Sequence, residues 1–346
     1  EKISHFMVMR GKTSENIDEV YAGDIAAVSK LQFTGTGDTL CYKNNAVVLE
    51  GINFPEPVLQ YAVLSKNRGD EDKIASAINK ILEEDLSLRY KKDPDTKESI
   101  IIGMGDLHLD IIKERLKNTY NLEVELKTPK VPYKETIRNN VKAQGKHKKQ
   151  SGGAGQYGDV WLTIEPNYEE TFTFAENVFG GAVPKNYFPA VEKGVQEAMH
   201  QGILAGYPVI NIKATLVDGS YHPVDSNEMS FKMAGILAFR NAMAKANAVI
   251  LEPVMDVAVT VPEVYMGDIM GDMNGRRGRI IGMEALGKNQ VIKARVPLAE
   301  MYSYAINLKA MTQGRGNFTM EFAEYEEVPP RLSDEIIKES KKEEEN

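Results

Sequence analysis

The chain is 346 residues long and 42% apolar, which favours a packed globular protein of two or more domains. Its formal net charge of −8 excludes a general attraction to nucleic acid, so any such contact must come from a local basic patch. No apolar run approaches the length that spans a bilayer, and the first residues do not resemble a signal peptide, so the sequence predicts a soluble, cytoplasmic protein.

Residues 1–50 carry a β-rich pattern with turn signals at residues 22–24 and 36–38. The segment is short for a stable barrel and is expected to be part of one. Cys41, the only cysteine, excludes an intramolecular disulfide and indicates a reducing compartment, where we expect a buried structural thiol. The chain begins with Glu1 and enters a strand-like pattern almost at once, which suggests that it was cut from a longer protein.

An internal repeat organises most of the remaining chain. Residues 56–63 and 252–259 share Glu-Pro-Val followed by Ala-Val in the same register, and each is predicted to open a βαββαβ unit. After the first strand we predict a helix at 70–86, strands at 86–90 and 99–103, a helix at 107–120 and a strand at 122–126. The apolar face of the first helix consists of Ile74, Ala77, Ile78, Ile81 and Leu82.

The second unit has the same predicted order. Its strands are expected at 254–261, 279–284, 290–296 and 317–325, and its helices at 265–274 and 298–312. Both units are therefore ferredoxin-like, with helices covering one face of an antiparallel sheet and the other face free for a partner.

Residues 130–253 form a different α/β unit between the two repeats. It is predicted to contain a strand at 160–165 and helices at 189–201 and 226–246. The tail from residue 331 to 346 is strongly charged, and we expect a short helix there, docked by Leu332, Ile336 and Ile337 and then fraying.

The most informative segment is the basic loop, residues 146–158, in which a lysine-rich run leads directly into glycines. Lysine attracts phosphate irrespective of sequence, and glycine lets backbone N–H groups approach a ligand closely. Residues 131–155 carry six lysines and arginines against Glu135 alone, a local charge of +5 that leaves −13 for the rest. The alternative is a flexible hairpin with solvated lysines. The candidate RNA-binding residues here are Lys146, Lys148, Lys149, Gln150, Ser151, Gly152, Gly153, Ala154, Gly155 and Gln156.

A second candidate is the histidine loop, residues 219–226, which ends where a helix is predicted to start with Ser226 as its N-cap. The loop would expose His222, which could contact RNA by stacking or hydrogen bonding, or be an ordinary turn residue. No serine or cysteine nucleophile is recognisably paired with this histidine, so a hydrolase triad has no support.

A third candidate lies at residues 275–279, where glycines and a preceding helix present Arg276, Arg277 and Arg279. Guanidinium groups bind phosphate through two parallel hydrogen bonds, so the segment is a candidate RNA or partner contact, with a solvated turn as the alternative.

Two glycine motifs do not predict nucleotide sites. Gly11-Lys12-Thr13 lacks the glycine of a phosphate-binding loop, because Phe6 occupies its position. In residues 103–111, the third glycine of a dinucleotide fingerprint is missing. We instead predict that these glycines turn a strand into a helix capped by Asp106, with His108 satisfied within the helix and no metal site.

Seven segments occur together in the order and spacing of bacterial elongation factor G, which the chain resembles over essentially its whole length. They are residues 22–27, 36–40, 103–111, 150–158, 204–209, 219–226 and 268–278. The resemblance implies the C-terminal portion of a five-domain translational GTPase that binds the ribosome and promotes movement of transfer RNAs and messenger RNA. The GTPase domain, with its GTP and magnesium, would lie outside this sequence, leaving no catalytic, cofactor or metal residue here.

The resemblance also implies an α+β multidomain fold. A partial β-barrel (domain II, residues 1–50) would precede a ferredoxin-like domain III (51–129). An α/β domain IV of the ribosomal-protein-S5-like type (130–253 plus 331–346) would then lead to a ferredoxin-like domain V (254–330).

In this family the basic loop and the histidine loop would form the tip of domain IV. That tip enters the decoding region of the small subunit and contacts the codon–anticodon helix, here through the basic-loop residues and Tyr221, His222 and Asp225. Arg276, Arg277 and Arg279 would face the large-subunit RNA that activates GTPases, and residues 103–111 would relay nucleotide state.

Two residues depart from the family pattern. The housekeeping factor usually carries arginine at the position of Ala154 and aspartate at the position of Pro223, so the chain resembles a divergent paralogue. Ribosome recycling or clearing is therefore an alternative to translocation. An alternative of another class is a protein-binding scaffold whose free sheet faces dock proteins without RNA contact, and an independent enzyme has little support.

Overall fold

The computed structural model describes residues 1–150 and 155–344, with side chains as far as Lys342. The chain divides into two compact units, the first from residues 1–92 and 99–127 and the second from residues 93–98 and 128–346. No helix among the described residues is long and apolar enough to cross a membrane.

The first unit begins with one small hairpin. Strands β1 (Phe6–Arg10) and β2 (Thr13–Ile17) pair antiparallel, and the predicted turns at 22–23 and 36–37 are present. Between residues 18 and 58, all of which are described, the structure contains isolated bridges but no further strand, so the β-rich pattern yields less sheet than expected. Cys41 is exposed, and the prediction of a buried thiol is wrong because no packed sheet covers this segment.

The predicted βαββαβ unit follows. It consists of β3 (Leu59–Ser65), α1 (Glu71–Glu84), β4 (Arg89–Lys92), β5 (Ser99–Gly103), α2 (Asp106–Tyr120) and β6 (Val124–Lys127). The strands form an antiparallel sheet in the order β4-β5-β3-β6. On the predicted face of α1, Ile74, Ala77, Ile78 and Ile81 are buried and Leu82 is partly buried.

The start of α2 corrects one prediction and confirms another. Gly105, not Asp106, is the N-cap, and Asp106 instead accepts a hydrogen bond from the Tyr61 hydroxyl at 3.2 Å. His108 is satisfied within the fold, because its Nδ1 accepts from the Met104 N–H at 3.2 Å and its Nε2 lies 2.8 Å from the Asp85 carboxylate. Among the described residues no His, Cys, Asp and Glu side chains cluster as metal ligands would.

The second unit opens with an α/β layer. Its elements are β7 (Lys134–Ile137), β8 (Val141–Lys149), β9 (Gln156–Pro166), β10 (Phe172–Glu176), α3 (Phe188–Met199), β11 (Ile212–Ser220) and α4 (Glu228–Met243). The sheet order is β10-β11-β9-β8, with β10 parallel to β11 and the other neighbours antiparallel. Alternate apolar residues of β9 and β11 pack with those of α3 and α4 into one core.

The second βαββαβ unit is formed by β12 (Ala248–Pro262), α5 (Met266–Gly275), β13 (Arg279–Leu286), β14 (Asn289–Pro297), α6 (Tyr304–Met311) and β15 (Asn317–Glu327). The antiparallel order is β13-β14-β12-β15. Strand β12 starts earlier than predicted and runs through the predicted domain border after residue 253, since β7 pairs with its first four residues. This pairing adds β7 to the second βαββαβ sheet as its fifth strand.

The C-terminal helix α7 (Pro330–Glu344) docks as the sequence predicts. Leu332, Ile336 and Ile337 pack against a buried cluster of Ala205, Ile250 and Val328. The Ser340 hydroxyl donates to the Ala205 carbonyl at 2.6 Å. The loop after α3 and the helix at the C-terminus therefore share one small core.

Candidate nucleic-acid interface

The sheet topology brings the two candidate loops to the same edge. Strands β8 and β11 both pair antiparallel with β9, so they run parallel to each other. Their C-terminal ends therefore lie at the same end of the sheet, which is the edge meant here and below. The basic loop follows β8 and the histidine loop follows β11. We call the described parts of these two loops, residues 146–150, 155–158 and 219–226, the tip.

Hydrogen bonds of backbone and side-chain groups join the two loops. The Tyr157 N–H donates to the Asp225 carbonyl at 2.9 Å, and the Ser226 hydroxyl donates to the Tyr157 carbonyl at 2.8 Å. The Gly155 N–H donates to the Asp225 carboxylate at 3.1 Å, and the Tyr157 and Ser220 hydroxyls are 2.8 Å apart. The tip is therefore one hydrogen-bonded surface.

The histidine loop fixes the orientation of His222. Its Nδ1 accepts from the N–H groups of Val224 at 3.3 Å and Asp225 at 3.2 Å, so the neutral ring carries its proton on Nε2. Half of the side chain is exposed. The exposed edge can thus offer an N–H donor to a ligand.

The prediction that Ser226 caps α4 is wrong. Asn227 is the N-cap, and its Oδ1 accepts from the Ser230 N–H at 2.9 Å. The Ser226 hydroxyl instead accepts from the His222 N–H at 2.8 Å and donates across to the basic loop.

Asp159 is a buried acidic residue that supports the tip through hydrogen bonds, and this role was not predicted from the sequence. Asp159 is only 7% exposed, and its carboxylate accepts from Gln144 Nε2 at 2.8 Å and from the Ser220 hydroxyl at 2.9 Å. A charged residue directly before the predicted strand at 160–165, whose alternate residues Val160, Leu162 and Ile164 are apolar, was the available signal, because a carboxylate next to a buried strand must find hydrogen-bond donors.

The lysines of the tip face solvent. Lys146, Lys148 and Lys149 are exposed and make no ion pair with any residue that the structure describes. The Lys146 ammonium lies 5.5 Å from the centre of the Tyr157 ring. Gln150, Gln156 and Tyr221 are exposed as well, whereas Ser151, Gly152, Gly153 and Ala154 lie outside the described residues.

The basic patch is smaller than the sequence count indicates. Lys134 is buried and pairs with Asp95 at 2.5 Å, and Arg138 pairs with Glu327. Glu135 is fully buried. Among the described residues of 131–155, the exposed positive charges without an acidic partner are therefore those of Lys142 and the tip lysines.

The three arginines form no part of the tip. Arg276 binds Asp272 at 2.7 Å, and Arg279 pairs with Glu326 while remaining largely exposed. Arg277 makes two parallel hydrogen bonds to the buried Glu252, at 2.6 and 2.9 Å, and these bonds raise its pKa. RNA binding by these arginines stays a prediction, and the geometry favours Arg279 because Arg276 and Arg277 already bind acidic groups of their own unit.

Two ferredoxin-like units, an α/β layer and a basic tip define the carboxyl-terminal architecture of a translation elongation factor. Three family models match: Elongation Factor G, domain III, over residues 54–128; Elongation factor G, domain IV, over residues 129–247; and Elongation factor G C-terminus, over residues 249–336. The chain belongs to the elongation factor G family.

A solved crystal structure of a Thermus thermophilus protein is similar over nearly the whole chain. The sequences are 41% identical, the TM-score is 0.84, and the match covers 98% of this chain and 51% of that protein. This chain therefore spans about half the length of its structural relative.

Proposed function

We propose that this chain is the ribosome-binding C-terminal part of a cytoplasmic, GTP-dependent translocation factor, and that its tip enters the decoding region of the small subunit. The tip would contact transfer RNA, messenger RNA and ribosomal RNA there. The observation that carries the proposal is that hydrogen bonds join the basic loop and the histidine loop into one surface. The lysines of this surface are exposed and have no acidic partner among the described residues.

The action proposed for the tip is mechanical. Exposed lysines attract the phosphate backbone, and the half-exposed His222 ring, held by its two backbone hydrogen bonds, would offer a donor and a stacking face. A tip held by hydrogen bonds in one shape can occupy a vacated transfer-RNA site and bias movement in one direction. GTP and its magnesium ion would bind in a domain outside this sequence, whereas Arg276, Arg277 and Arg279 of this chain would face the large-subunit RNA that activates hydrolysis.

The domain division proposed with this function is residues 1–50, 51–129, 130–253 with 331–346, and 254–330. The docking of α7 against residues 204–207 supports the assignment of residues 331–346 to the domain that carries the tip.

A scaffold that docks proteins on free sheet faces has weaker support. The second βαββαβ sheet has one face whose residues, such as Asp256, alternate along the strands with the buried valines of the other face. On this face Arg295 pairs with Asp256 at 3.1 Å and with Glu324 at 2.5 Å, and Lys293 pairs with Glu284 at 2.8 Å. Ion-paired charged side chains therefore occupy the central strands of this face, where the core of a protein interface is usually depleted in charge.

Replacing Lys146, Lys148 and Lys149 together with alanine is expected to weaken binding to ribosomes programmed with messenger RNA and transfer RNA. Because each phosphate contact on single-stranded RNA contributes about 0.7 to the log–log salt dependence, the slope should fall by about 2. Binding would be measured by co-sedimentation at several salt concentrations.

The matched control replaces Lys193, Lys245 and Lys338, three exposed lysines of the same unit outside the tip. It removes the same charge and should leave the slope nearly unchanged. Equal slopes for both triple variants would contradict the placement of the tip on RNA. Joining a family GTPase domain and comparing single-turnover translocation with ribosome splitting separates a translocase from a recycling paralogue.

A further inference from the structure

A third loop reaches the tip, and no motif in the sequence pointed to it. Strand β10 runs parallel to β11, so its C-terminal end lies toward the same sheet edge as the histidine loop. The connection from β10 to α3, residues 177–187, begins there. We call it the phenylalanine loop, because Phe179 stands in it with 81% of its surface exposed.

The phenylalanine loop is bound to its neighbours along its length. The Asn177 N–H donates to the Leu216 carbonyl at 2.8 Å, and the Tyr187 hydroxyl donates to the Ser226 carbonyl at 3.2 Å. Val183 is buried against Gly219, where an added Cβ would lie 2.5 Å from its Cγ2. The phenylalanine loop therefore packs directly on the histidine loop.

The local backbone keeps Phe179 outside this packing. Gly180 and Gly181 follow it with φ of +67° and +71°, a conformation that other residues adopt only under strain, and open space surrounds both. Val178 beside it packs against the core. The chain thus buries the smaller side chain and presents the aromatic ring to solvent.

We propose that the phenylalanine loop is a third RNA-contacting element, in which Phe179 stacks on an unpaired base and Lys185 binds a neighbouring phosphate. This inference rests on the proposed function. An exposed ring on an anchored loop loses little conformational freedom when a base stacks on it, and unpaired bases are what aromatic side chains of RNA-binding proteins recognise. Lys185 is exposed and makes no ion pair with the residues that the structure describes.

The test compares Phe179→Ala with Tyr168→Ala in binding to the same programmed ribosomes. Tyr168 is also 81% exposed, but it lies between β9 and β10, at the opposite edge of the sheet. We expect Phe179→Ala to weaken binding roughly 5- to 150-fold without changing the salt slope, because stacking on a base involves no ion release. Tyr168→Ala should bind as the unchanged chain does, and Lys185→Ala should lower the slope by about 0.7.

Conservative variants distinguish stacking from apolar contact with protein. Phe179→Trp should retain affinity, whereas Phe179→Leu should not. Full affinity of Phe179→Leu would indicate a protein partner and overturn the inference. If Phe179→Ala binds normally while the triple lysine variant binds more weakly, the proposed RNA contact of the phenylalanine loop is wrong and the proposed function of the chain stands. If the unchanged chain does not bind programmed ribosomes, both the RNA contact and the proposed function are wrong.

Discussion

Replacing Glu135 with alanine is expected to lower the free energy of unfolding of the second unit by about 3–5 kcal/mol, because it removes a buried charge that several donors require. Glu135 has no solvent exposure, and its carboxylate accepts four backbone N–H bonds. The donors are residues 203, 204, 205 and 207, at 2.7, 3.0, 2.9 and 3.2 Å. Alanine would leave these donors buried without an acceptor.

The loss should extend to the C-terminal helix. The loop held by Glu135 supplies Leu204, Ala205 and Tyr207 to the core on which α7 docks. A loosened loop would release α7, and trypsin should then cleave the variant near its C-terminus faster than the unchanged chain. The lower free energy of unfolding and the faster cleavage by trypsin would both follow from the loss of the Glu135 hydrogen bonds.

Trp161, the only tryptophan in the sequence, lies in β9 and reports unfolding of this unit by fluorescence in urea. Glu135→Gln keeps one oxygen but places an amide N–H₂ against two donors, so its stability should fall between those of the alanine variant and the unchanged chain. The exposed Glu169→Ala is the control. If the free energy of unfolding of Glu135→Ala equalled that of Glu169→Ala, the four hydrogen bonds of Glu135 would make no net contribution to stability.

Glu135 also shows what a sequence count misses. In the sequence it is the one acidic residue of a basic patch, yet the structure buries it and also engages Lys134 and Arg138 with acidic partners. Net charge over a window cannot separate side chains that alternate between core and solvent. The run that ends β8 could be recognised because Lys146, Lys148 and Lys149 adjoin a turn, where side chains are exposed.

The repeated units were predictable because their signals are local. A helical apolar face and the shared Glu-Pro-Val register specify each βαββαβ order without knowledge of distant contacts. Pairing of β7 with β12, the Arg277–Glu252 ion pair and the meeting of three loops at one edge each join residues far apart in sequence. Periodicity carries no information about such partners, so the hydrogen-bond partners of Asp159 and the position of Phe179 beside the tip emerged only from the structure.

Replacing Gly145 with alanine is expected to destabilise the same unit by about 3 kcal/mol, because the added methyl group overpacks a helix–sheet contact. A Cβ on Gly145 would lie 2.1 Å from the Ala234 carbonyl oxygen and 2.2 Å from the Ala238 nitrogen, both backbone atoms of α4. A backbone cannot rotate away as a flexible side chain can. Helix α4 must therefore move off strands β8 and β9.

A displacement of α4 from strands β8 and β9 would also change the shape of the tip. The histidine loop enters α4 directly, and its bonds to Tyr157 hold only while α4 and the β8–β9 hairpin keep their separation. Gly145→Ala should consequently weaken ribosome binding even where the domain is still folded. The matched control is Gly282→Ala in strand β13, where an added Cβ meets nothing within 4 Å. Unfolding by Trp161 fluorescence and binding to programmed ribosomes would be measured on both variants, and a Gly145→Ala chain as stable and as tightly bound as Gly282→Ala would contradict a tip positioned by the close approach of α4.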